Sequence, residues 1–158
     1  MAVKSEVELL RQVPLFAQVE PAQLQLLVFN SRKRRIAPGH YLVKAGDRDG
    51  AANLILSGEA EAIEGDDGGG RVIARLGRGA FVGELGMVAS VPAAISVRAT
   101  TPLEAMRIGN ELFQRVCREF PEDGGRMLAS LSERLDIALT DLRDVQAIFA
   151  QARSFSRF

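Results

Sequence analysis

Residues 81–97 read FVGELGMVASVPAAISV, a glycine-led turn at Gly83-Glu84-Leu85 followed by a strongly apolar run in which Glu84 is the only charged residue. A turn of this kind entering a short helix points several backbone N–H groups at one spot, where the helix dipole also favours an anion. A carboxylate among those amides is wrong for holding phosphate directly. It is right for accepting hydrogen bonds from a sugar hydroxyl while the amides hold an attached phosphate. Local physics alone also allows Glu84 simply to cap the short helix. Pro92, Ala93 and Ala94 then follow, with no charged side chain among them.

Around this stretch the chain has three textures. From Ser31 to Ile108, short apolar or alternating runs are cut by glycine at Pro38-Gly39, Ala45-Gly46-Asp47, Ser57-Gly58, Gly65 to Gly70, Gly77, Gly79 and Gly83. Runs of strand length are Tyr41–Lys44, Asn53–Leu56, Glu59–Glu64, Arg71–Leu76, Ser96–Thr100 and Leu103–Ile108. Many short strands with turns between them predict a β-sandwich, roll or barrel. GELGMVA breaks the alternation and predicts one short helical turn after Gly83. Residues 1–30 read as N-terminal helices, with Val3, Val7 and Leu10 at helical spacing, a stop at Pro14 and a second start at Glu20-Pro21. Residues 31–109 form the β region and 110–158 the C-terminal helices. In that last block Asn110 is expected to cap Glu111 to Glu119, and a long helix is expected from about Arg126 to Ala152. The class is α+β, mainly β, in one structural domain.

Bulk chemistry excludes several functions. Twenty basic residues balance twenty acidic ones, so no global field draws the chain to nucleic acid or anionic lipid. No apolar run approaches a membrane span, and no signal peptide opens the chain. One cysteine, Cys117, forms neither an internal disulfide nor a thiolate metal cluster. These features fit a cytoplasmic protein. His40 has no second histidine or cysteine to make a metal site, and no serine or cysteine nucleophile has another base; catalysis has no sequence support. GDDGGGR at 65–71 lacks the Gly-Lys-Ser/Thr ending of a phosphate loop and reads as a hairpin tip. GRGAFVG at 77–83 has the wrong spacing for a dinucleotide fingerprint. RKRR at 32–35 reads as a solvated strand edge kept from pairing by its charges.

On the C-terminal helix Leu128, Leu135, Leu142 and Phe149 share one heptad position, and Leu131, Ala138, Val145 and Ala152 share the other. Four heptads with an apolar seam and charged flanks predict a parallel homodimer. The alternative is a single helix lying on its own β-roll.

The ordered set LLRQVPLF (9–16), PGHYLVKAGD (38–47), NLILSGEAEA (53–62), ARLGRGAFVGELGMV (74–88) and SVRATTPLEAMRI (96–108) resembles the cyclic-nucleotide-binding domain family, and within it the bacterial catabolite-activator branch most. The resemblance spans nearly the whole chain and implies a β-roll of that type. It makes the segment from the GEL turn a phosphate-binding cassette. Glu84 matches the glutamate that holds the ribose 2′-hydroxyl, and the backbone of Gly83 and Leu85 faces sugar and phosphate. Val82 and Ile73 match apolar positions near the base and sugar.

Three departures follow from the same match. Pro92 is normally followed by an arginine that pairs with the cyclic phosphate; here that position is Ala93. The next position can offer a hydroxyl and is Ala94, with Ser96 usable only in a shifted register. Arg98 is expected on the outer face. Where some relatives present a polar pair to the purine, this chain has Ala138 and Leu139. The resemblance therefore implies weak or altered binding of cyclic AMP or cyclic GMP, in a non-enzymatic, stand-alone sensor that signals through a dimerisation helix to an unidentified protein partner. Its rivals are a ligand-free interaction scaffold and the sensor part of a truncated DNA-binding transcription regulator. The tail RSFSRF (153–158) is too short for a recognition helix, so no nucleic acid is expected to bind this chain alone.

Overall fold

The structure, a computed structural model of the chain, describes residues 2–65 and 70–133. Helix α1 (Ala2–Arg11) leads through a 3₁₀ turn (Pro14–Phe16) to α2 (Pro21–Asn30). Pro21 opens α2 because the first helical position has no use for an amide donor. Strands β1 (Arg32–Ile36), β2 (Tyr41–Val43), β3 (Ala51–Ser57), β4 (Ala60–Glu64), β5 (Arg71–Leu76) and β6 (Phe81–Val82) follow. Then come α3 (Glu84–Ala89), β7 (Ser96–Ala99), β8 (Leu103–Gly109) and α4 (Asn110–Glu119). A further helix, α5, is described over 121–133.

The strands form two antiparallel four-stranded sheets, ordered β1-β8-β3-β6 and β2-β7-β4-β5. This is the cyclic-nucleotide-binding type of β-roll. Strand alternation divides the interior into two layers. Ala52, Leu54 and Leu56 of β3, with Met106 and Ile108 of β8, face the helices and pack with Leu10, Phe16, Leu24, Leu27, Phe113, Val116, Met127 and Leu131. Ile55, Leu103 and Ala105 face the other way and pack between the sheets with Leu42, Ala60, Val97 and Ala99. Each fully buried leucine or isoleucine contributes about 1.5–3 kcal/mol relative to exposure.

Basic β1 lies at a sheet edge, as its charges lead one to expect. Lys33 nonetheless has a structural partner. Its ammonium sits 2.7 Å from the buried carboxylate of Glu6 on α1, and that hydrogen bond raises the lysine pKa. Strands β4 and β5 pair out to Glu64 and Arg71, and residues 66–69 of the expected hairpin tip lie outside the described residues.

Two boundaries differ from expectation. Helix α5 is already helical at residue 121, so Phe120-Pro121 both ends one helix and starts the next. Gly109 rather than Asn110 occupies the cap of α4, and Asn110, as the first helical residue, is free to reach sideways. No helix among the described residues is long and apolar enough to cross a membrane.

Candidate functional site

The layer between the sheets opens, at the end covered by α3, into a cavity of about 360 Å³. That is within the range of small-molecule sites, at its lower end. Ala51 and Asn53 of β3, with Phe81 and Val82 of β6, line one side; Leu42 and Val43 of β2 and Val97 of β7 line another. The turn and first residues of α3, Gly83 to Gly86, cover one rim, Asp47, Asp49 and Gly50 a second and Val91 to Ile95 a third.

Gly83 makes the cover possible. It caps α3 at φ +86°, and a Cβ there would lie 2.6 Å from the Ala51 carbonyl oxygen. Only glycine tolerates both the left-handed backbone and that approach. Ala93 is pinned opposite by two backbone bonds: the Gly46 N–H donates to its carbonyl at 2.7 Å, and its own N–H donates to the Asp47 carbonyl at 2.9 Å. Position 93 is thus rigidly presented to the cavity, carrying only a methyl group.

Six of the eight residues expected at the site line this cavity: Val82, Gly83, Glu84, Leu85, Ala93 and Ala94. Two do not. Ile73 lies on β5, exposed and next to a register shift in the β4–β5 ladder that turns this edge strand away from the sheet interface. Ser96 is buried, and its hydroxyl accepts a hydrogen bond from the Ala45 N–H at 2.9 Å, so it braces the Lys44–Asp47 turn. Arg98 is on the outer face as expected, paired with Glu61 at 3.2 Å.

Of the expected dimer residues, Leu128 is 49% exposed, whereas Leu131 is buried in the chain's own helical core. Leu135, Ala138, Leu142, Val145 and Phe149 lie outside the described residues.

The reading from sequence missed Asp47, Asp49 and Asn53. The first two sit in a loop that looked like ordinary turn chemistry. Asn53 had a signal: one carboxamide within the run AANLILS, two residues before Ile55 and therefore on the same inward face.

Among the described residues the charged side chains lining the cavity are Asp47, Asp49 and Glu84, and Arg34, Arg48 and Arg107 line an adjoining cavity that shares Asp47 and Asp49. Asp47 Oδ2 accepts from the Lys44 N–H at 3.1 Å. Asp49 is gripped from outside the cavity by the Arg107 guanidinium, whose Nε and Nη2 donate to its two oxygens at 3.2 and 3.0 Å. That fork holds the Asp49 carboxyl below the usual aspartate range.

The cover is connected to the helices beyond it. Asn110 Nδ2 donates to the carbonyl of Met87 on α3 at 2.6 Å, and the Asn110 N–H donates to the carbonyl of Gly50, a cavity residue, at 2.7 Å. One residue at the start of α4 therefore holds two separate parts of the cavity wall.

Comparison with known proteins agrees with this architecture. The chain is 32% identical to a cAMP-dependent protein kinase regulatory subunit of Colletotrichum orbiculare over 69% of its own length and 27% of the relative's. It thus spans about a quarter of that curated relative. Among solved structures, a cyclic nucleotide-binding-like protein from Brucella abortus superposes with a TM-score of 0.65 at 28% identity, covering 72% of this chain and 97% of that one. The catabolite activator protein of Thermus thermophilus superposes with a TM-score of 0.69 at 25% identity, covering 84% of this chain and 63% of that one. The pattern of the cyclic nucleotide-binding domain matches residues 33–120, from β1 through the cassette to the end of α4, and the chain belongs to that family.

Proposed function

We propose that this chain is a regulatory sensor module whose cavity takes a small molecule with weak or altered cyclic nucleotide preference, and whose output leaves through the C-terminal helices to a second copy and a protein partner. The observation that carries the reading is the placement of Gly83 to Ala89. This segment covers the cavity on one side and is tied to α4 by Asn110 on the other. A ligand that prefers one arrangement of the cover shifts the helices by as much as it distinguishes the two arrangements.

The missing cation supports altered preference. Removing one partner of a buried charge pair costs about 2–5 kcal/mol, and each 1.4 kcal/mol is a tenfold loss of affinity. A micromolar cyclic nucleotide would weaken to roughly millimolar on that account.

The test is thermal unfolding and hydrogen exchange with millimolar cyclic AMP or cyclic GMP, on the native chain and on Ala93→Arg. The expected result is little response from the native chain. Ala93→Arg should show a rise of several degrees and slower exchange across 83–89 and α4. If Ala93→Arg, folded as stably as the native chain, binds neither nucleotide, the cyclic-nucleotide reading of the cavity falls.

A further inference from the structure

Asn53 is 2% exposed, belongs to the cavity wall, and its Oδ1 has no hydrogen-bond partner among the described residues. Buried side-chain acceptors are nearly always paired, and an exception calls for an explanation. Its neighbours in the sheet offer none. Across β6 it faces Val82, which is apolar, and across β8 it faces Arg107, whose guanidinium is committed to Asp49. Replacing the carboxamide with an apolar group of similar shape would remove the unpaired acceptor at little cost to the fold, so its presence works against stability and in favour of something else.

Three further features define what could meet it. The remaining wall is mostly apolar, including Leu42, Val43, Phe81, Val82 and Val97. Among the described residues the charged wall residues are Asp47, Asp49 and Glu84, and Asp49 is paired with Arg107. The cavity volume of about 360 Å³ suits a small ligand such as a fused ring system carrying one sugar. The nearest arginines, Arg34, Arg48 and Arg107, line an adjoining cavity around Asp47 and Asp49 and not the described wall of this one. An anionic ligand would be desolvated beside carboxylates here, whereas a neutral molecule carrying N–H and O–H donors would find acceptors at the acids and at the carboxamide.

We infer that the cavity selects an uncharged nucleoside over a cyclic nucleotide, with the ring system against the apolar wall and a ring or sugar donor bonded to Asn53 Oδ1. Asn53 is then a specificity-determining residue on the floor of the site. The inference rests on the reading of this cavity as a ligand site and adds the chemical class that it takes.

Adenosine and cyclic AMP are a matched pair that differ chiefly in the charged phosphate. In thermal unfolding of the native chain, millimolar adenosine should raise Tm by about 3 °C or more. Titration calorimetry should show adenosine binding at least tenfold tighter than cyclic AMP. Asn53→Leu should keep or raise the unliganded Tm and abolish the adenosine shift. Asn53→Ala, which adds no bulk, supplies the same comparison should leucine overpack the site. An equal or larger shift with cyclic AMP overturns the selection for neutral ligands. A full adenosine shift in both Asn53 variants overturns the role of Asn53, and no adenosine shift in the native chain overturns the inference as a whole. If Ala93→Arg responds to cyclic AMP while the native chain ignores adenosine, the regulatory reading stands and this inference falls. If neither response occurs, both fall.

Discussion

The Asn110 side chain donates to the Met87 carbonyl across 2.6 Å, joining the first residue of α4 to the middle of α3. In the sequence Asn110 looks like a helix cap. In the structure Gly109 takes the capping position, and the amide is used between helices instead. Met87 itself is fully buried against the helical core, so the bond fixes a cavity-covering helix from the side opposite the cavity.

Asn110→Ala should therefore cost about 0.5–1.5 kcal/mol, the range for a single hydrogen bond. Tm should fall by roughly 1–6 °C for a chain of this size. Amide exchange in 84–89 should quicken more than exchange in α2. Uniform quickening in all helices would show that the bond serves overall stability and does not link α3 to α4.

Gly83→Ala places a methyl group 2.6 Å from the Ala51 carbonyl oxygen and forces an alanine to φ +86°. The left-handed backbone alone costs about 1–3 kcal/mol for a non-glycine residue. The expected outcome is a Tm loss of at least about 4 °C together with displacement of α3, read by calorimetry and by exchange at Gly86 to Ala89. A Tm within a degree of native would mean that the turn relaxes freely and is not a fixed part of the cavity.

The Asp49–Arg107 pair gives a pH signature. Because Arg107 depresses the Asp49 pKa in the folded chain, the stabilisation is fully present above the ordinary aspartate value of about 3.9. It is lost as pH falls through the lower folded value. The Asp49 side chain is half-exposed, so the contribution stays below about 1 kcal/mol. Asp49→Asn should lower Tm modestly at pH 7, and the gap to native should close in acid. A gap that is constant with pH would assign the loss to packing and not to charge.

Leu128 and Leu131 separate self-association from folding. Leu131→Ala removes a side chain from the chain's own core and should cost about 2–5 kcal/mol. Leu128, half-exposed on α5, should accept aspartate with little change in Tm. If α5 also serves a dimer, Leu128→Asp should shift the protein toward monomer in sedimentation at tens of micromolar. A native chain that already sediments as a monomer at that concentration removes the dimer from the proposal.

Much of the fold was legible because it rests on local rules. Glycine-punctuated runs marked most strands of both sheets, and proline marked the stop after α1 and the start of α2. The GEL turn marked α3 and the cavity rim, since few arrangements other than a left-handed glycine entering a helix suit that sequence. Strand β6 escaped because it is two residues long and pairs only through β3, which no periodicity can reveal.

The sequence by itself thus determined the class of fold and the GEL turn that enters α3, because backbone geometry and residue type act over a few positions. Only the tertiary structure decided which side chains share the cavity. Ser96 turned to brace a loop, Ile73 stayed on an exposed edge, and Asp47, Asp49 and Asn53 arrived from separate strands and turns. Those outcomes depend on sheet register and on which of two layers each strand face meets, and register is set by the packing of the whole roll.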